Sequence, residues 1–165
     1  MSQQKANSRL ILIAAAPCLL LATSCTRWSV PASLVGTWSG TQKVTVRVGQ
    51  PRGPNRFISD TVPITISVRG DGSVAGRVGG ATMVGAYVLK NRGWFGRTFH
   101  FATDFRLEGR LQGALFAGDP IATMDIHAPF GVVRDTLTGS LFQQSGMGVY
   151  PMVDLRLAKQ VGTPP

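Results

Sequence analysis

Cysteine is almost absent from this chain. Only Cys18 and Cys25 occur among 165 residues, too few for the multi-bridge framework that staples small secreted folds. Acidic residues are scarce as well: eight, with Glu108 the single glutamate, against 17 Lys and Arg. Glu108 stands between Arg106 and Arg110, with Asp104 four residues away. That setting reads as surface charge pairing, not as the separated carboxylates of glycosidic acid/base catalysis. Histidine occurs twice, as His100 and His127. His127 shares a strand face with Asp125, but two ligands without a free thiol fall short of a metal centre. H-E-x-x-H, G-x-S-x-G and C-x-x-C are missing, and with them the hydrolase and redox chemistries those spacings serve. The glycine-rich Gly70–Gly76 leads into a strand pattern, so no helix N-terminus follows to cradle a phosphate. No stretch has a convincing amphipathic helical period, and Gly146 and Gly148 argue against a short helix at 143–148. The chain is read as not an enzyme, with no cofactor and no metal.

Apolar residues, by contrast, make up 44% of the chain, with 20 glycines and 15% charged residues. That is enough for a core, and the balance favours strands and turns. At this length one domain is expected.

The N-terminus has three parts. Residues 1–9 are predominantly polar and carry Lys5 and Arg9. Leu10–Ala22 is an apolar run of 13 residues, too short for the roughly 20 that span a bilayer and suited to the core of an export signal. Leu21-Ala22-Thr23-Ser24-Cys25 follows and resembles a bacterial lipobox, with Ala22 where Leu is usual. The resemblance implies a signal peptide at 1–24, cleavage before Cys25, and thioether attachment of diacylglycerol to Cys25 with acylation of its amino group. It also implies attachment to the bacterial cell envelope through that lipid; Thr26, not Asp, after the cysteine points to the outer membrane. Each buried CH₂ adds about 0.8 kcal/mol, and anchoring becomes stable with two or more chains. With Cys18 removed and Cys25 lipidated, no disulfide is expected.

Loss of Lys5 and Arg9 leaves 15 basic against eight acidic residues, a charge of +7. The arginines are scattered, with no run of four. They read as solvated outward faces of strands, and nucleic acid is not expected as a partner of an exported protein.

After a lipidated tether at 25–33, alternation dominates. Val44, Val46 and Val48 interleave with Lys43, Thr45 and Arg47; Val62, Ile64, Ile66 and Val68 interleave with Thr61, Pro63, Thr65 and Ser67. Val153, Leu155 and Leu157 repeat the pattern. Period two marks strands with one buried face. Strands are expected at 36–48, 58–69, 73–79, 82–90, 97–107, 110–117, 121–128 and 134–142, with a ninth at 150–158 to close the sheet. Turns are expected at Gly70-Asp71-Gly72, Asn91-Arg92-Gly93 and Gly118-Asp119-Pro120, and a longer open loop at 50–55. Val74–Val78, Leu111–Leu115 and Leu137–Leu141 share the form apolar-x-Gly-x-apolar. An inward glycine lets a strand bend or a neighbour approach closely, as a closing barrel requires. The reading is all-β: a single antiparallel up-and-down barrel of about eight strands over 34–160, with a β-sandwich as the alternative.

Gly36-Thr37-Trp38 opens the domain and resembles the Gly-x-Trp signature on the first strand of calycin barrels, the lipocalins, avidins and related bacterial inhibitors. The resemblance covers about seven residues and implies that Gly36 and Trp38 close one end of the barrel. A second lipocalin signature and the avidin biotin set are not matched, so fold is implied and ligand is not. Lys90–Arg97 places Trp94 and Phe95 between Arg92 and Arg97. Aromatics flanked by cations at a hairpin tip suit a ligand, partner or membrane contact as well as a plug for the barrel mouth. Two functions follow as expectations. One is a non-catalytic carrier of a small apolar or amphipathic ligand held inside the barrel. The other is a protein-contact module, such as a protease inhibitor or envelope assembly partner, acting through 26–33 or the loop at 49–57.

Overall fold

The computed structural model describes residues 29–48, 56–90, 105–117, 122–145 and 148–160. Strands form where the alternation runs: β1 (Gly36–Val48), β2 (Arg56–Val68), β3 (Ser73–Val78), β4 (Ala81–Lys90), β5 (Phe105–Gly113), β6 (Ala122–Val133), β7 (Thr136–Ser145) and β8 (Gly148–Lys159). Each pairs with the next, β8 returns to β1, and the order β1 to β8 closes into a barrel. All pairings are antiparallel. The architecture is therefore the up-and-down barrel and not the two-sheet sandwich.

Alternation explains the core. Val44 and Val46 of β1, Val62 to Val68 at even positions of β2, and Leu155 and Leu157 of β8 turn inward and are buried. They join one continuous apolar cluster with Trp38, Leu107, Ile126, Phe130 and Leu141. No polar or charged residue is buried among the described residues. Outward positions are polar: Lys43 and Thr45 on β1, Thr61 and Thr65 on β2, Arg110 on β5 and Asp125 on β6. A barrel that spans a bilayer shows the reverse pattern, with an apolar band facing lipid.

Two stretches expected as separate strands, 97–107 and 110–117, prove to be different. Phe105–Gly113 is one strand, matched to β6 through nine consecutive pairs from Phe105↔Phe130 to Gly113↔Ala122. The expected gap between the two stretches, Glu108-Gly109, is part of this strand. Gly109 faces inward between the buried Leu107 and Leu111, and a Cβ there would lie 2.7 Å from Cα and Cβ of Ala86. Leu107–Leu111 is thus a further apolar-x-Gly-x-apolar segment. Residues 114–117 are not strand, and Leu115 and Phe116 are buried from the loop. The expected 97–104 portion lies outside the described residues. The expected ninth strand is β8, so the total is eight.

Gly139 makes the closest approach of this kind. A Cβ there would stand 2.6 Å from Cβ of its cross-strand partner Phe130 and collide with the Pro129 carbonyl. A missing side chain on one strand lets the main chain of the next come close, and the sheet can curl. The turn at Gly70–Gly72 forms as expected: Gly72 N donates to Arg69 O at 3.0 Å, and Asp71 Oδ1 accepts from Ser73 N at 2.9 Å and Ser73 Oγ at 2.7 Å. Those bonds favour the ionised Asp71 carboxyl and hold it below the usual range. The other expected turns, Asn91–Gly93 and Gly118–Pro120, lie outside the described residues.

The strands define two ends. The start of β1 enters at one end, where Val30 and Leu34 already pack on the core and Leu34 N donates to Pro31 O at 2.9 Å. Lys90 and Phe105 pair with each other at this same end. The far end holds the end of β1 and the starts of β2 and β8.

Candidate functional site

β1 is paired along all 13 residues with β2, without a register shift. Its other edge is different. The ladder to β8 contains only Trp38↔Lys159 and Ser39↔Ala158, extended by Gln160 N donating to Thr37 O at 2.8 Å. Beyond Ser39, two glutamine side chains take the place of main-chain pairing. Gln42 Nε2 donates to Arg156 O of β8 at 2.9 Å. Gln143 reaches from β7, where its Oε1 accepts from Arg47 N at 3.1 Å and its Nε2 donates to Arg47 O at 3.3 Å.

Between these two clasps the seam borders a groove of about 550 Å³, lined by Lys43, Thr45, Phe57, Tyr150, Met152 and Asp154 among others. A bulge in β8 shapes its wall. Val153 pairs with Leu141 and Pro151 with Phe142, so Met152 has no partner of its own, and both Met152 and Val153 are buried. Phe57 is 58% exposed and Val149 at the start of β8 is 55% exposed. The Arg47 guanidinium lies over the Tyr150 ring, 4.5 Å from its centre, a contact worth about 0.5–1 kcal/mol at an exposed site. Asp154 accepts from Ser140 Oγ at 3.0 Å, and Thr45 Oγ1 and Ser59 Oγ are 2.7 Å apart. Lys43 forms no salt bridge among the described residues. The groove thus combines exposed apolar surface with one charge of each sign, Lys43 and Asp154, and among the described residues it brings together no nucleophile with a base.

A second groove, about 390 Å³, lies on the outer wall over Gly85 and Gly109. Here Tyr87, Glu108, His127 and Phe142 form a row across four strands. Tyr87 Oη donates to Glu108 Oε2 at 3.1 Å, which pushes the phenol pKa up. Arg106 Nε is 3.0 Å from Glu108 Oε1, and Arg110 Nε donates to Asp125 Oδ1 at 2.8 Å. His127 sits 6.4 Å, ring to ring, from Phe142; burial lowers its pKa, against a smaller opposing pull from Glu108. The charges of this wall are matched to one another, as the sequence pattern around Glu108 indicated.

Trp38, named from the Gly-x-Trp pattern, is fully buried at the entry end. Its Nε1 donates to Leu34 O at 3.0 Å, and Lys159 Nζ stands 5.2 Å from the ring centre. Gly36 has φ +136° and lets Lys159 Cε come within 3.0 Å of where a Cβ would be. Cys25, Arg92, Trp94, Phe95 and Arg97 lie outside the described residues, as does His100. Lys43, Arg47, Phe57, Gln143 and Tyr150 were not singled out individually. Phe57 carried a signal, being a large apolar side chain in register with the outward Ser59 and Thr61. The span of Gln143 had none, because it crosses between strands 96 residues apart in sequence.

Comparison with protein-family models, curated proteins and solved structures finds no match for this chain.

Proposed function

We propose that this protein is a lipid-anchored, non-catalytic contact module of the bacterial cell envelope, which engages a partner protein through the seam groove. The observation that carries this reading is the pairing of two features. Inward side chains pack on one another, while exposed Phe57 and Val149 flank a groove on the outside that Lys43, Tyr150 and Asp154 line, with Arg47 stacked on Tyr150. Clustered exposed aromatic and aliphatic groups beside arginine are the composition of contact hot spots.

The placement of the ends supports the same reading. The chain enters from the Cys25 side at the end where Lys90 and Phe105 bracket the Arg92–Arg97 segment. On this reading that end, on the side of the lipidated Cys25, faces the outer membrane. The groove lies toward the opposite end, turned away from the anchor. Trp38 and Gly36 close the membrane-side end. The domain needs no cofactor or metal for this task and does not engage nucleic acid.

The test is affinity capture from detergent-solubilised envelopes of the source bacterium, with native mass spectrometry of the purified protein alongside. A partner retained by the native protein and lost on Phe57→Ser is the expected result. An apolar small molecule that co-purifies in stoichiometric amount, with no protein partner, would replace this reading with the internal carrier.

A further inference from the structure

We infer that the groove over Gly85 and Gly109 binds a neutral oligosaccharide, an extended chain of hexose rings laid across β4, β5 and β6. This site is separate from the seam groove and goes beyond the contact reading. Its shape comes from a bulge. Val84 pairs with Arg110 and Tyr87 with Glu108, so Gly85 and Ala86 together stand opposite Gly109. Ala86 turns inward and is buried. Gly85 is exposed, has φ +59°, and a Cβ there would meet nothing within 4 Å. The outer face therefore has a floor of main chain at Gly85 and Gly109 between two walls of side chains. One wall is Tyr87, Glu108 and His127. The other is Val84, Arg110, Asp125 and Gln144, one from each of β4 to β7. Along β5 and β6 the walls stand two residues apart, roughly 7 Å, which admits a single sugar ring.

The chemistry of the walls selects the ligand. Val84 and Tyr87 are 46% and 44% exposed. The Tyr87 ring has an electron-rich face, to which the weakly positive C–H groups of a pyranose are drawn. The polar groups are planar and keep hydrogen-bonding capacity. Arg110 and Asp125 are joined through Nε and Oδ1, and both are more than half exposed. The terminal guanidinium nitrogens and Oδ2 are then left for a ligand, donors beside an acceptor, as neighbouring hydroxyls require. The Gln144 amide adds a group that both donates and accepts. Charge disfavours an ionic ligand: Arg106 pairs with Glu108 and Arg110 with Asp125, and the four charges cancel. A chain of hydroxyl groups joins these pairs without breaking either.

The test uses the full chain and three β1→4-linked tetrasaccharides, of glucose, of N-acetylglucosamine and of glucuronate. Calorimetry gives affinity, and amide chemical shifts locate the contact. At least one neutral tetrasaccharide is expected to bind and to shift Gly85, Gly109 and Gln144. Which of the two binds distinguishes a plain hexose polymer from an acetamido-substituted glycan. The glucuronate chain is expected to bind about tenfold more weakly or worse. Gly85→Asn puts a side chain on the floor of the groove at a φ that asparagine tolerates, and should weaken binding about tenfold or more with the thermal midpoint little changed. Tyr87→Ala should weaken it as much, and Tyr87→Phe, which restores the ring, should recover most of the loss. Binding of neither neutral tetrasaccharide, preference for the glucuronate chain, or neutral binding that survives both Gly85→Asn and Tyr87→Ala overturns the proposal. Shifts at Lys43 and Thr45 in place of Gly85 and Gly109 also overturn it, because they put the sugar in the seam groove.

Discussion

The side-chain amide of Gln143 holds both main-chain groups of Arg47, donating at 3.3 Å and accepting at 3.1 Å, and so stands in for a strand pair across the seam. Replacing it by leucine removes both of these hydrogen bonds from the Arg47 main chain. The expected cost is about 1–3 kcal/mol, read as a lower urea midpoint at unchanged m-value. Gln143→Glu keeps the acceptor and loses the donor, so it should fall between the two.

Trp38 contributes through volume and through one hydrogen bond to Leu34 O. Trp38→Phe should lose about 1 kcal/mol for the bond plus a smaller packing term. Trp38→Ala should lose about 3–5 kcal/mol through the cavity it leaves. Thermal unfolding of both variants checks the order, and near-ultraviolet circular dichroism should lose the signal of the buried indole in each.

Gly139 is irreplaceable by reason of its neighbour. A methyl group there meets Phe130 Cβ, and overpacking of this kind costs about 1–3 kcal/mol. Gly139→Ala should therefore be destabilising although alanine suits a strand no worse than glycine, and Phe130→Leu in the same chain should not recover the loss, because the Pro129 carbonyl and the Cα and Cβ of residue 130 that the methyl meets remain. Denaturant titration of the double-mutant cycle measures the coupling.

His127 makes stability pH-dependent. Burial lowers its pKa from the ordinary value of about 6.5, so the folded state favours the neutral ring. Unfolding then takes up a proton just below that value, and the contribution of His127, complete above about 6.5, is lost as pH falls toward the folded pKa. Unfolding free energy measured from pH 7.5 to 5 should decline, and His127→Phe should flatten the decline. Glu108 and Arg106 face the same ring and remain in the variant.

The fold was legible because period-two alternation is a local property. Val44/Val46 and Val62/Ile64/Ile66 announce an inner face without reference to any other strand. The gap expected at Glu108-Gly109 is absent for a reason that is not local: glycine stands at 109 because Ala86 of the neighbouring strand lies 2.7 Å from where its Cβ would be. The seam was less legible still. Nothing near Gln143 in sequence indicates that its amide pairs with Arg47, and the scarcity of β1–β8 pairs exists only once the barrel closes. Phe57 was the one residue of the groove whose side chain conflicted with its polar strand face.

The proposed lipid anchor has its own check. Cys25→Ser should abolish incorporation of labelled palmitate and leave an uncleaved precursor, while the barrel keeps its strand signal in circular dichroism. Labelling that persists without Cys25 would place the anchor elsewhere.

The central claim is that the protein works through the seam and not through its interior. A benzophenone amino acid placed at Phe57, and separately at Tyr87 on the opposite wall, tests it in intact envelopes. Illumination should yield a discrete crosslinked protein species from position 57 and none from position 87. The reverse pattern, or crosslinks from neither position while an apolar probe enters the barrel with a one-to-one stoichiometry, would contradict the account.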